Sequence, residues 1–248
     1  MRDRQLRTLD RVLSRSGVGS RTQAAEWIRA RRVRVGSRVV TNPDAWIDPT
    51  SDDIRLDGKP IETAPPIHLM LHKPKGVLTS RAADVKGRRT VYDLLPETES
   101  FVFPVGRLDL DTSGILLMTN DSDFAETLTN PEFHVPKTYL VKATTRLSDE
   151  QLDALRAGVT LSDGPTRPAT ITRLRDPGGR TVFEITITEG RNRQVRRMVS
   201  AVGSKVLSLA RIAVGPLRIG ELQPGESRTL TPAELRGLLR AGRRPPCR

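Results

Sequence analysis

The first sixty residues carry helix-type and strand-type patterns of apolar positions in turn. Apolar residues recur at helical spacing over residues 6–13 and stop before a pair of glycines, which predicts a short helix. Ser20 followed three residues later by Gln23 is typical of a capping box and predicts the start of a second helix. Valines alternate with arginines around a Gly-Ser pair over residues 33–40, which predicts a hairpin, and strand character continues over residues 54–56. This segment therefore predicts a small α+β module.

The rest of the chain mixes strand-length apolar runs with amphipathic helix patterns. Residues 62–66 contain two prolines and are typical of a linker, so we predict a module at 1–63, a larger domain at 64–241 and a basic tail at 242–248. The predicted strands are 68–72, 102–105, 115–119, 139–143 and 181–188. The predicted helices are 124–129, 148–157, 191–202 and 232–240. Because no regular strand-helix-strand period appears, the pattern predicts an α+β fold with a mixed, largely antiparallel sheet.

The charge of the chain indicates that the protein has a binding partner. Lysine and arginine total 41 against 29 acidic residues, which gives a formal net charge of +12 and a sequence pI near 10.8. Such a balance indicates a polyanionic partner, with nucleic acid as the leading candidate. An arginine-rich composition without a binding role is the alternative. The positive charge clusters in residues 1–38, 191–197 and 236–248, which favours binding.

Several functional classes have little support in the sequence. Cys247 is the only cysteine, so neither an intramolecular disulfide nor a cysteine metal cage is expected. His68, His72 and His134 lack the spacing of metal ligands, so we expect no metal site and no metal-dependent nuclease. No signal-peptide pattern or long apolar run appears, and we therefore expect a soluble protein of the reducing cytoplasm.

Residues 106–114, Gly-Arg-Leu-Asp-Leu-Asp-Thr-Ser-Gly, form the most informative stretch. They precede the apolar run 115–118, so the pattern places carboxylates on a loop that enters a buried strand. Asp109 and Asp111 suggest the paired carboxylates of glycoside hydrolysis, but sequence spacing does not establish their separation in space. An Asp-rich turn between strands is the other interpretation.

Four further motifs accompany this loop in a fixed order. They are Lys-Pro-Lys-Gly at 73–76, Lys-Thr-Tyr at 137–139, the basic run 189–198, and Leu-Ala-Arg at 209–211 followed by Gly-Pro-Leu at 215–217. The set, which spans about 145 residues, resembles the motif series of the pseudouridine synthases. Residues 9–39 resemble the small RNA-binding module named after a primary-assembly protein of the small ribosomal subunit. Together they resemble the branch that modifies bacterial ribosomal RNA.

The resemblance implies roles for individual residues. Asp109 matches the essential aspartate, which acts as a nucleophile or as a base, and Arg196 matches the arginine that holds its charge. Tyr139 matches the tyrosine that packs against the flipped uracil, and Leu209 matches an apolar residue of the pocket. Arg107 matches the arginine that occupies the space left by the flipped nucleotide. The expected catalytic residues are Asp109, Tyr139 and Arg196, and the expected RNA-contacting residues are Arg107, Leu209, Lys73, Lys137, Arg191, Arg193, Arg197, Arg21 and Arg32. No cofactor is implied, because isomerisation involves no redox change and no external group.

The expected substrate is ribosomal RNA. Residues 73–78 and 87–96 look more like the branch that acts on the large-subunit RNA than like the small-subunit branch. We expect a monomer. The rival hypothesis is a non-catalytic RNA-binding factor of ribosome assembly, which the basic charge and the N-terminal module explain equally well. Only the motif set discriminates against that hypothesis.

Overall fold

The computed structural model describes residues 6–49, 51–62, 65–98 and 100–242. The predicted boundary at residue 64, Cys247 and nearly all of the predicted basic tail lie outside these residues. By their internal contacts, the residues group into two compact units. Of the described residues, the first unit contains those up to 68 and those within 97–103 and 118–122, and the second contains those within 69–96 and 104–117 and those from 123 onward.

The N-terminal part of the chain forms two helices and short antiparallel strands. Its elements are β1 (Arg7–Thr8), α1 (Leu9–Arg15), α2 (Arg21–Arg29), β2 (Val33–Val35), β3 (Arg38–Val39), β4 (Trp46–Ile47), β5 (Ile54–Leu56) and β6 (Lys59–Pro60). The predicted capping box is confirmed, since the Ser20 hydroxyl accepts from the Gln23 amide and the Gln23 side chain accepts from the Ser20 amide. Strands β3, β2, β5 and β6 form one sheet, and Leu9, Leu13 and Ile28 are fully buried in the small core.

The larger part of the chain supplies the main sheet. Its strands are β7 (His68–Lys73), β8 (Phe103–Pro104), β9 (Ser113–Thr119), β10 (Lys137–Ala143), β11 (Thr160–Leu161), β12 (Gly164–Pro165), β13 (Thr170–Arg175), β14 (Val182–Ile187), β15 (Val206–Val214), β16 (Leu217–Arg218) and β17 (Ser227–Thr229). Its helices are α3 (Ser122–Thr129), α4 (Asp149–Ala157), α5 (Gln194–Ala201) and α6 (Pro232–Ala241), with 3₁₀ turns at Val91–Leu94, Pro131–Phe133 and Pro177–Gly179.

The main sheet is mixed and largely antiparallel, as predicted. Its order is β13-β14-β10-β15-β9-β7-β17, with β16 paired to β15 and β8 paired to β9. β9 runs parallel to β15, whereas β10 pairs antiparallel with both β14 and β15. The sequence interpretation did not predict β13, β15 and β17. In the edge strand β13 only Ile171 is buried, so its sequence shows no apolar run.

Helices α4 and α5 contribute to the core cluster that includes residues of β10, β14 and β15. Phe183, Ile185, Met198 and Leu152 are fully buried in this cluster. The predicted helix 191–202 begins only at Gln194, because Arg193 adopts a left-handed conformation with φ of 47° at the N-cap. No helix in the described part of the chain is long and apolar enough to cross a membrane.

Candidate active site

A pocket of about 270 Å³ opens between the loop before β9 and the strands β10, β14 and β15. Its volume is near the lower limit for small-molecule pockets, which suits a single nucleobase. Six of the residues named from sequence line it together with Asp109, and these are Arg107, Lys137, Tyr139, Arg191, Arg193 and Leu209. The lining also includes Thr112, Ile187, Glu189 and Arg211, which the sequence had not singled out as site residues.

Lys73 supports the loop that carries Asp109. Its side chain is fully buried, and its ammonium donates hydrogen bonds to the carbonyl oxygens of Pro74, Asp109 and Thr112 at 3.1, 3.1 and 2.9 Å. Burial lowers the pKa of Lys73 to about 8, although the charges of Asp109 and Asp111 act in the opposite direction. The prediction that Lys73 contacts RNA is therefore corrected: no part of its side chain is accessible, and it fixes the backbone on both sides of the loop.

Gly114 ends the loop where β9 meets β15. It pairs with Arg211 across the parallel strands and has φ of 109°. A Cβ atom at this position would lie 2.2 Å from the Arg211 carbonyl oxygen, so any other residue would force the two strands apart. The glycine of the motif thus lets the Asp109 loop approach the strand that carries Leu209 and Arg211.

The loop carries two carboxylates, Asp109 and Asp111, which differ in their contacts with the arginines of the basic run. The Asp109 side chain is 29% exposed, and its Oδ2 lies 3.6 Å from Nη1 of Arg193. Asp111 accepts hydrogen bonds from both terminal nitrogens of Arg193 at 3.2 and 3.3 Å. Partial burial acts to raise the pKa of Asp111, but the hydrogen bonds from Arg193 and the charge of Arg196 outweigh it and hold that pKa below 3.8.

Arg196 binds Asp111 rather than Asp109. Its Nη2 donates to the Asp111 carbonyl oxygen at 3.0 Å and lies 3.1 Å from the carboxylate Oδ2. Within the described residues, Arg193 is the cation at ion-pairing distance from Asp109. The expected Arg196–Asp109 pair is therefore not formed. Arg193 at the helix N-cap lies within ion-pairing distance of both carboxylates, and Arg196, one helical turn further on, pairs with Asp111. Nε of Arg196 is buried without a hydrogen-bond partner among the described residues.

Tyr139 and Leu209 lie on one wall of the pocket. Tyr139 is directly opposite Arg211 on the neighbouring strand, and Leu209 is two residues from Arg211 and shares its face. Leu209 is buried in the core cluster, and the half-buried Tyr139 packs against that cluster. The wall therefore has an aromatic and an aliphatic surface, both rigidly supported, beside the Asp109 loop.

The other arginines of the basic run have partners within the protein. Arg191 donates to the carbonyl oxygens of Gly164 and Pro165 and to the buried carboxylate of Glu189. Arg197 forms an ion pair with Asp163 at 2.9 Å. Both side chains therefore fix the β11–β12 hairpin to α5 and to the loop before it, and an RNA contact by either stays a prediction.

The two arginines predicted to bind RNA in the N-terminal module are also paired. Arg21 makes two hydrogen bonds to Asp10, and Arg32 makes two to Asp57 while its guanidinium lies 5.7 Å from the Trp27 ring centroid. Both arginines remain exposed, by 57% and 45% of their side-chain surface. Three neighbouring cations are exposed and have no side-chain partner in the described part of the chain, and these are Arg29, Arg31 and Arg38.

Sequence reasoning had considered Asp111 only as the second member of a carboxylate pair, and it missed the part played by Glu189. Both act as acceptors for arginines of the basic run. The sequence offered one signal for each of these roles: Asp111 lies two residues after Asp109, and Glu189 lies two residues before Arg191. Among the described residues, no group of three or more His, Cys, Asp or Glu side chains is arranged to hold a metal ion.

Comparisons with known proteins agree with this geometry. Residues 67–201 match the model of the RNA pseudouridylate synthase family, and residues 7–49 match the S4 domain. A Bacillus subtilis protein named ribosomal large subunit pseudouridine synthase B is 39% identical over 93% of this chain and 94% of its own length. An RNA pseudouridine synthase of Aquifex aeolicus, described as uncharacterized, is 37% identical over 94% of both chains. A crystal structure of a pseudouridylate synthase superposes with a TM-score of 0.68 at 30% identity, over 93% of this chain and 99% of that one.

Proposed function

The chain belongs to the RNA pseudouridylate synthase family, and from this membership we propose that it converts one uridine of large-subunit ribosomal RNA to pseudouridine, with Asp109 as the essential carboxylate. The name of the Bacillus subtilis relative supports the choice of large-subunit RNA. The net charge of +12 and the S4 domain support a structured RNA as the partner. A monomeric state and a cytoplasmic location stay predictions.

One observation carries the proposal: the Asp109 carboxylate lies in a nucleobase-sized pocket that Tyr139 and Leu209 also line. A uridine in folded RNA must leave its stack before its glycosidic bond is accessible, which costs a few kcal/mol. A base that enters the pocket would regain part of this cost on the Tyr139 ring, since aromatic stacking contributes about 1–3 kcal/mol per base. Its ribose would then face the Asp109 loop.

In this proposal Arg193 acts on the Asp109 carboxylate directly, and Arg196 acts on it through Asp111. Arg193 lies 3.6 Å from Asp109, so its positive charge is close to the proposed reacting carboxylate. Arg196 holds the turn through both the carbonyl and the carboxylate of Asp111, so it fixes the direction in which Asp109 points. A nucleophile and a general base both need an ionised carboxylate, and the arrangement suits either.

The test replaces the carboxylate and follows the reaction at C5 of uridine. Asp109→Asn keeps the shape of the side chain and removes the charge, so we expect normal folding and RNA affinity with no release of tritium from [5-³H]uridine in large-subunit RNA. The matched control is Asp153→Asn, which removes an exposed carboxylate of α4. Substantial turnover by Asp109→Asn would refute the assignment. Pseudouridine that maps only to small-subunit RNA in cells with the protein would refute the choice of substrate.

A further inference from the structure

Two basic side chains in the walls of the pocket, Lys137 and Arg211, are shielded from solvent and have no carboxylate partner in the described part of the chain. A third lining cation, Arg107, also lacks such a partner but is exposed. Arg211 is only 6% exposed and is anchored by one hydrogen bond, from its Nε to the Ile115 carbonyl oxygen at 2.8 Å. The Lys137 ammonium has no hydrogen-bond partner among the described residues. This differs from Lys73, whose buried ammonium is bound by three carbonyl oxygens.

The sheet register explains why the two cations share a wall with Tyr139. Arg211 lies directly opposite Tyr139 on the adjacent strand, and Lys137 is two residues before Tyr139. Side chains two residues apart in a strand point to the same face of a sheet. Lys137, Tyr139 and Arg211 therefore surround one position in the pocket, next to the apolar side chains of Leu209 and Ile187.

This arrangement costs stability in the free protein. Burial lowers the pKa of Lys137 to about 8, and the positive charge of Arg211 acts in the same direction. A partly buried charge without a partner is unfavourable, so folding alone gives no reason to keep a lysine here. Perturbed ionisable groups in a pocket are candidates for a functional role. Neither Lys137 nor Arg211 has an anionic partner among the described residues.

We infer that Lys137, supported by Arg211, is a further catalytic residue, whose ammonium donates a hydrogen bond to a carbonyl oxygen of the target uracil and stabilises the negative charge that the base acquires during the reaction. This inference rests on the proposed function. It assigns Lys137 and Arg211 to the base, and the Asp109 loop with Arg193 to the ribose.

The chemistry requires such a group. When the bond between C1′ and N1 breaks, its electron pair stays with the base, and the negative charge spreads over N1, O2 and O4. C5 then forms the new bond to C1′, the proton on C5 leaves, and N1 takes up a proton, so no atoms or electrons are gained or lost overall. A cation that contacts O2 or O4 is most effective while the base is detached. Stabilisation at that stage lowers the barrier instead of only tightening binding.

The experiment compares three variants under single-turnover conditions with saturating enzyme, with release of tritium from [5-³H]uridine RNA as the readout. Lys137→Met removes the charge and keeps an unbranched side chain. Lys137→Arg keeps the charge, and Lys142→Met is the control, because Lys142 lies on the same strand five residues away and faces the opposite side of the sheet. We expect Lys137→Met to lose about 100-fold in rate. RNA affinity is expected to stay within about threefold, Lys137→Arg to recover most of the rate, and Lys142→Met to match the wild type.

Two further measurements separate catalysis from structure. If Lys137 is kept for catalysis, we expect Lys137→Met to melt at a higher temperature than the wild type, because a partly buried charge without a described partner is removed. With subsaturating enzyme, the wild-type rate is expected to fall as pH rises through about 8, where Lys137 loses its proton. Lys137→Arg keeps its proton, so its rate is expected to hold to higher pH. The other ionisable groups that line the pocket or support it are unchanged in this comparison, and they are Asp109, Glu189, Arg107, Arg191, Arg193, Arg211, Tyr139 and Lys73.

The outcomes are distinct. A wild-type rate for Lys137→Met, or a loss of affinity with an unchanged saturated rate, overturns the inference, and the second result makes Lys137 a phosphate contact. A lower melting temperature together with identical pH profiles for wild type and Lys137→Arg also overturns it, because Lys137 is then structural. If the wild type itself releases no tritium from ribosomal RNA, the proposed function fails and the inference fails with it.

Discussion

The arginines of the N-terminal module and those of the basic run at residues 191–197 look alike in sequence and differ in the structure. In the module, Arg21 and Arg32 each pair with one aspartate and stay about half exposed, while Arg29, Arg31 and Arg38 are exposed without a side-chain partner among the described residues. In the basic run, three of the four arginines are partly buried, with 14–29% of their side-chain surface exposed, and they donate to carbonyl oxygens or carboxylates of distant segments. These are Arg191, Arg196 and Arg197.

The difference shows that burial decides what a clustered arginine does. An exposed guanidinium can neutralise a phosphate and release counterions, and its effect appears in affinity and salt dependence. A buried guanidinium that already satisfies protein oxygens has few free donors, and its loss leaves those oxygens unpaired. We therefore expect the module's arginines to control RNA affinity, and those of the basic run to control turnover and stability.

The largest effect is expected at Arg196, where a substitution tests whether the basic run controls turnover instead of RNA affinity. Arg196→Met removes the guanidinium that holds Asp111, so the loop that carries Asp109 loses its orientation. We expect the single-turnover rate to fall about 100-fold, which is about 2.7 kcal/mol, with RNA affinity unchanged within about threefold. Arg180→Met, which removes an exposed guanidinium with no described side-chain partner, is the control. A proportional loss of affinity with an unchanged rate would instead assign Arg196 to a phosphate.

A smaller effect on stability is expected at Arg191. Arg191→Met leaves the buried Glu189 carboxylate with fewer donors and frees the β11–β12 hairpin, so we expect the free energy of unfolding in urea to drop by about 2 kcal/mol. Arg180→Met is the control, because Arg180 is exposed and has no described side-chain partner. Its effect is expected within about 0.5 kcal/mol. Unchanged stability together with weaker RNA binding would contradict the expected difference between the arginines of the module and those of the basic run.

The smallest free-energy change is expected for the exposed arginines of the module. When Arg29, Arg31 and Arg38 are all replaced by Gln, we expect RNA affinity to fall about tenfold and the slope of log affinity against log salt to become shallower by about 2 to 3. The saturated rate and the melting temperature are expected to stay at wild-type values. A single Arg180→Gln substitution serves as the control for loss of charge elsewhere. An unchanged slope would mean that this face of the module contacts no phosphate.

The sequence by itself determined the local features and named several side chains of the pocket. The capping box at Ser20 and Gln23 needs only side chains three residues apart, so its pattern is readable in one dimension. The irregular alternation of strand and helix patterns was enough to predict the α+β class with a mixed sheet. The ordered motifs named Asp109, Tyr139 and Leu209, and all three line one pocket.

Only the tertiary structure decided which groups meet. The bond from Arg196 to Asp111 joins residues 85 positions apart, and a pattern of residue types carries no distance over such a span. Lys73 is a basic residue in a basic chain, and only the packing of β7 beneath the Asp109 loop shows it to be fully buried. Arg211 and Lys137 became neighbours through strand register. Burial and ion pairing depend on the distances between groups in space. The local sequence determines the helices and strands, but only their packing determines which groups are buried or paired.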